Sequence, residues 1–213
     1  MLTIWLKYMV KKEKDKSTEE KILDAARKVF VQKGLDGARM QDIADEAGIN
    51  KALLHYYFRT KDKLFEMIFL ETVGKIFPRF EMILLSDMDF FDKIRQIVSS
   101  YIEVIIHNPY LPLFVLNEMN KNPEFGIVDF FKIQRPIIIH RFMEDIEKEV
   151  RKGTIKAVSP AHLLVNMMSM CIFPFVAKPV INIMLDLDEL QFRNMMEQRK
   201  RVVAEFIIES IKN

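Results

Sequence analysis

Between Arg39 and Lys61 the chain sets out side chains whose chemistry suits a polyanion carrying readable edges. Arg39, Lys51 and Lys61 bring positive charge, and Gln41, His55, Tyr56 and Thr60 bring hydrogen-bond donors and acceptors. Ala52 and Leu53 add small apolar contacts. Cations and hydroxyls of this kind hold phosphates, while amide, imidazole, phenol and methyl groups address base edges in the major groove. A duplex admits such groups only when a helix carries them, so the elements around these residues decide whether the chemistry is available.

The stretch Met40 to Phe58, MQDIADEAGINKALLHYYF, has the spacing of a helix-turn-helix. Residues three and four apart share a helix face, which puts Ile43, Ala44 and Ala47 on one side of a first helix. Gly48 stands where a sharp turn needs positive φ. Asn50 is placed to cap a second helix continued by Leu53, Leu54, Tyr57 and Phe58. A small residue at Ala44 lets the two helices approach. With Leu54 and Tyr57 turned inward, Lys51, Ala52, Leu53, His55 and Tyr56 are left facing out.

The flanks extend the pattern. ILDAARKVFVQKG (22–34), MQDIADEAGINKALLHYYF (40–58) and TKDKL (60–64) together resemble the TetR family of bacterial transcriptional regulators over roughly the first third of the chain. The resemblance implies a dimeric, ligand-responsive regulator, most often a repressor. It assigns Lys51, Ala52, Leu53, His55 and Tyr56 to base and phosphate contact, and Arg39, Gln41, Thr60 and Lys61 to the backbone. Arg39 departs from the pattern, since the family often begins that helix with Thr or Ser. The remaining two thirds agree with the family only in helical character and length.

Composition supports an all-α fold. The 213 residues include only six glycines, and half are hydrophobic, enough for a sizeable core. Charge is uneven: residues 1–63 carry 14 Lys/Arg against 10 Asp/Glu, and residues 64–213 carry 18 against 20. A basic head on a mildly acidic body fits nucleic-acid contact confined to the N-terminus. Lone Cys171 excludes an intrachain disulfide, suits a reducing cytoplasm and reads as a buried inert thiol. The apolar start MLTIWLKYMV lacks the parts of a secretory signal, with Met9 offering an alternative start before a basic arm, and no later run reaches the roughly 18 residues of a membrane span.

Periodicity and breakers predict about nine helices. Residues 1–16 read as an arm, 17–63 as a three-helix DNA-binding domain and 64–213 as a larger helical domain for regulation and dimerisation. Ser17 and Glu20 form an expected capping box for the first helix, which Gly34 ends. A fourth helix, capped by Thr60 with Lys61 beside its free amides, is expected to run as far as Pro78, where it kinks. Helices follow at 90–107, about 112–121 with breaks at Asn108-Pro109 and Asn122-Pro123, about 126–151 with Pro136 inside, from Ser159-Pro160 to about Ala177 with Lys178-Pro179 ending or bending it, and about 188–211. MEDIEKEVRK reads as the solvated side of its helix.

The rest of the chain offers no constellation for catalysis. His107, His140 and His162 share no metal-ligand spacing, and there is no nucleophile elbow or phosphate loop. No enzyme activity, metal or cofactor is expected. Bulky or polar residues on apolar faces, Tyr101, His107, Phe114, Met119, Phe130, Met167 and Phe173, are the candidates for lining a pocket for an apolar or amphipathic small molecule, with solid core as the alternative. Surplus apolar residues Leu163, Met167, Val202 and Phe206 are the candidates for a homodimer interface. The expected partners are a palindromic duplex operator, a second copy and an unknown small effector, with no membrane. The competing reading is an architectural or protein-recruiting DNA-binding factor without a small ligand.

Overall fold

The computed structural model describes residues 13–121 and 126–213, and among them it is all-helical. Ten helices follow one another: α1 Glu13–Gly37, α2 Met40–Glu46, α3 Lys51–Tyr57, α4 Lys61–Leu85, α5 Phe90–His107, α6 Leu111–Lys121, α7 Gly126–Lys152, α8 Pro160–Val176, α9 Lys178–Leu185 and α10 Glu189–Ile211. The sole β-pairing among described residues is the single bridge Ile155–Lys212. The chain divides into two compact units, one ending at Phe69 and one beginning at Leu70.

The first unit is built on α1. Ile22, Ala26, Val29 and Phe30 recur at helical spacing and all are buried. Phe30 meets Phe65 of α4 at 5.2 Å between ring centroids. Ile43, Ala44, Leu54, Phe58, Leu64 and Ile68 complete the core. Gly34 takes φ +67 and interrupts the helical backbone near the end of α1. Ser17 lies inside α1, which already includes Glu13, so the expected capping box does not form there. Phe58 is not helical: it follows α3 in extended conformation and buries its ring.

The second unit packs α5 and α10 along their length over α7 and α8. Its core holds Ile94, Val98, Ile102, Phe142, Ile146, Leu163, Met167, Phe192, Met196, Val203 and Ile207. Three expectations change here. Helix α4 does not stop at Pro78 but reaches Leu85; proline there removes one intrahelical bond without ending the helix. MEDIEKEVRK is not wholly solvated. Asp145 and Glu149 are buried, because Lys93 reaches Asp145 at 3.2 Å and Lys152 reaches Glu149 at 2.7 Å. Leu163 and Met167, expected at a dimer interface, lie in the subunit core. At Lys178-Pro179, expected to end or bend the helix, the chain bends by 74° into the separate helix α9. The break expected at Asn122-Pro123 lies outside the described residues.

Elsewhere the punctuation acts as its chemistry dictates. Asp89 caps α5 by accepting from Phe91 N at 2.9 Å, Gly153 takes φ +72 after α7, and Ser159-Pro160 begins α8. Asp188 and Gln191 cap the start of α10 reciprocally, at 2.7 and 2.8 Å.

Candidate nucleic-acid interface

Helices α2 and α3 are joined by a turn whose backbone bonds are all made locally. Ala47 N donates to Ile43 O, Gly48 N to Asp45 O and Ile49 N to Ala44 O, at 3.0 to 3.1 Å. Gly48 has φ +65, the left-handed conformation that lets the chain reverse there. Asn50 Oδ1 accepts from Leu53 N at 2.7 Å and caps α3. Ala44 is fully buried at the crossing, where any larger side chain would separate the helices.

This turn fixes the rotation of α3. Leu54 is fully buried and Tyr57 half-buried, so Lys51, Ala52, Leu53, His55 and Tyr56 face solvent, with Tyr56 78% exposed. The Tyr56 ring stands edge-on to Tyr57 at 5.4 Å. His55 Nδ1 lies 3.2 Å from Arg59 O, which ties the imidazole to the end of its own helix.

The supporting residues are more committed than their sequence suggests. Arg39 is exposed and precedes α2, but the cap is made by Asp42, whose carboxylate accepts from Arg39 N at 3.0 Å. Lys33 lies 2.9 Å from Asp42. The Lys33 ammonium, followed by the Arg39 amide, holds the Asp42 carboxyl below the usual carboxylate range. Lys28 reaches Glu46 at 3.0 Å in the same way. Two lysines of α1 thus neutralise two carboxylates of α2, a relationship that sequence spacing did not reveal because the partners lie on different helices. Gln41 Nε2 donates to Asp45 at 2.8 Å. Thr60 Oγ1 accepts from Lys63 N at 3.2 Å and caps α4. Lys61 Nζ donates to Ala38 O at 3.2 Å, which fastens the start of α4 to the segment before α2.

The described residues among those expected to line a pocket differ in burial. Tyr101 is half-buried, 6.1 Å from the Phe80 ring, and burial pushes its hydroxyl pKa up. Met167 is core, whereas His107 is exposed beside Glu103 at 3.3 Å. Phe173 is exposed and lines an open apolar groove of about 390 Å³ with Leu116, Val165, Met168, Ile172 and Val176. Side chains of Phe114, Met119 and Phe130 fall outside the described ones. Of the expected dimer residues, Val202 and Phe206 on α10 are exposed. Burial pushes the Cys171 thiol up to about 12, as befits an inert core residue. Among the described residues no cluster of His, Cys, Asp or Glu is arranged to hold a metal, and no single helix is long and apolar enough to cross a membrane.

Comparison with known proteins agrees with this geometry. Residues 22–68 match the family model described as bacterial regulatory proteins, tetR family. The chain is 21% identical over 140 residues to the transcriptional repressor KstR2 of Mycolicibacterium smegmatis, covering 66% of this chain and 68% of that one. The structure of the ketosteroid transcriptional regulator KstR2 of Mycobacterium tuberculosis superposes with a TM-score of 0.68 at 14% identity, covering 92% of this chain and 95% of the other. FadR of Bacillus subtilis, solved in complex with stearoyl-CoA, gives a TM-score of 0.59 at 14% identity, covering 87% and 97%.

Proposed function

We propose, from the premise that this chain is a TetR-family transcriptional regulator, that it is a dimeric repressor acting in the cytoplasm and released from a palindromic operator by an apolar or amphipathic small molecule. The observation that carries the DNA half is the locked rotation of α3. Gly48, Asn50 and buried Leu54 leave Lys51, Ala52, Leu53, His55 and Tyr56 as the outward face. One helix reads only a few base pairs, so specific binding calls for two half-sites and a two-fold partner. Arg39, Gln41, Thr60 and Lys61 hold phosphates around it. The Thr60 hydroxyl keeps its hydrogen to donate.

The regulatory half rests on α4. It starts among the phosphate-holding residues and continues to Leu85 in the second unit, so a ligand that favours a different setting of α4 also favours a different setting of α3. A coupling of about 1–3 kcal/mol changes occupancy roughly 5- to 150-fold. The relatives support this ligand class: one is a ketosteroid regulator and another was solved with stearoyl-CoA, and both molecules have a large apolar part. The competing reading, a DNA-binding factor without effector, gains from the openness of the apolar groove on α8.

The test is a fluorescence-anisotropy titration of labelled DNA from the region flanking the gene, with and without steroid and long-chain acyl-CoA probes. The proposal expects binding reversed by a probe that also raises the melting temperature. Binding that no probe alters, with no shift in melting, favours the effector-free factor. No binding above that to random DNA contradicts the regulator itself.

A further inference from the structure

Five side chains make up the outward face of α3, and four of them have a hydrogen-bonding character set by residue type. Lys51 only donates, Ala52 and Leu53 do neither, and the Tyr56 hydroxyl does both. His55 is different. A neutral imidazole carries its hydrogen on one nitrogen and a lone pair on the other, so residue type leaves open which nitrogen donates and which accepts.

The fold removes that choice. His55 Nδ1 stands 3.2 Å from Arg59 O, and a carbonyl oxygen has no hydrogen to give, so Nδ1 holds the ring hydrogen and donates it. The carbonyl belongs to a firm corner of the backbone. Phe58 N donates to Leu54 O at 2.8 Å, and the chain then leaves α3 in extended conformation with the Phe58 ring buried. With the hydrogen on Nδ1, Nε2 carries only a lone pair. It lies across the ring from Nδ1, on a side chain exposed to solvent. The outward tip of His55 is therefore an acceptor.

We propose that His55 reads its operator as a fixed acceptor and selects an amino base, adenine or cytosine, over a keto base, guanine or thymine, on the strand it faces. The inference rests on the DNA reading above and names the base chemistry at one position of it. Only an amino group complements such an atom. Phosphate oxygens accept and do not donate, so a lone pair at Nε2 cannot hold the backbone. In the major groove guanine offers N7 and O6, both acceptors, and thymine offers O4 and a methyl group. The donors there are the N6 amine of adenine and the N4 amine of cytosine. Every base pair carries one of these two amines, so His55 settles which strand bears it and does not by itself tell adenine from cytosine. Lys51 lies one turn earlier on the same helix face and, as a pure donor, favours the acceptors of guanine. Donor and acceptor one turn apart form a pattern that reads bases, where two cations would serve any phosphate.

Selection of the full chain on a pool of random duplexes, with the bound fraction sequenced, tests this at about pH 8, where an ordinary imidazole is neutral. Wild type is compared with H55N, whose amide nitrogen keeps a donor for Arg59 O and leaves nothing at Nε2, and with H55R, which only donates. Circular dichroism melts confirm the fold of each. The expected result is one position per half-site where wild type takes adenine or cytosine over guanine or thymine by about three- to tenfold. H55N loses the preference at that position alone, and H55R turns it towards guanine. Replacing the adenine there by purine, or the cytosine by 2-pyrimidinone, deletes the amino group; it should cost wild type a similar factor and H55N nothing. A wild-type preference for guanine or thymine at the position that responds to His55 overturns the acceptor and leaves the DNA reading standing. So does an H55N protein that binds more weakly with every preference unchanged, which would make the imidazole a structural group. If wild type enriches no sequence, both readings fall.

Discussion

Lys93 of α5 and Asp145 of α7 form an ion pair at 3.2 Å, with both residues more than nine-tenths buried. The same ammonium donates to Leu84 O at 2.8 Å, close to the C-terminal end of α4, and Arg141 stands 3.8 Å from the Asp145 carboxylate. One buried charge therefore fastens the far end of α4 to two other helices. Removing one partner strands the other charge in an apolar setting. Lys93→Met or Asp145→Leu alone is expected to cost about 3–5 kcal/mol, and the double variant K93M/D145L much less. Urea unfolding of the four proteins measures the cycle, and additive losses would contradict the pairing.

At the turn between α2 and α3, Gly48→Ala is expected to cost about 1–2 kcal/mol, because a Cβ at φ +65 is strained although nothing stands within 4 Å of it. Leu54→Ala, at the fully buried centre of the same unit, should cost about 2–5 kcal/mol. Thermal melts followed by circular dichroism check both. Equal, negligible effects would mean that the turn and its inward face do not set the rotation of α3.

Lys61→Ala is expected to weaken binding to all duplexes alike and to lower the slope of log K against log salt by about one unit. His55→Ala and Tyr56→Ala should instead change which half-site is preferred. Titrations at four salt concentrations separate these behaviours. An unchanged slope in Lys61→Ala would remove that ammonium from the interface.

Acid should destabilise the protein. Asp42 is held below the usual carboxylate range by Lys33, Glu103 by Lys200 and Glu205 by Arg95. Each binds its proton less readily when folded than when unfolded. Their contribution is thus present above the ordinary carboxylate pKa and is lost as pH falls through the folded values. Glu66, raised by burial, works in the opposite sense. The lowered groups outnumber the one raised, which predicts a urea midpoint that declines from about pH 5 to pH 3, and a shallower decline in Lys33→Met. A midpoint that rises over that range would contradict the assignment.

The turn chemistry of this chain was legible because it is local. Gly48, Asn50 and Thr60 each act within a few residues of themselves, so their roles can be read from spacing. Helix faces were legible where one residue type dominates, as along α5. What escaped depends on partners distant in sequence. Asp145 looks like part of a solvated stripe until Lys93, some fifty residues earlier, is placed beside it. Leu163 and Met167 were indistinguishable from an interface for the same reason, since periodicity shows that a face is apolar but not which neighbour covers it. The pocket residues shared only a character, bulk on an apolar face, and that does not bring Tyr101 and Phe173 together. Lys178-Pro179 reads as an end or a bend, and the spacing alone does not show that its proline sits in the first turn of a new helix.

The most direct measurement is hydroxyl-radical footprinting of the purified protein on the DNA flanking its gene. Two windows of protection, centred about 10 base pairs apart or a multiple of that on one face of the duplex, and lost in Tyr56→Ala, are the predicted result. A single window, or protection that survives when the outward face of α3 is changed, would contradict the account.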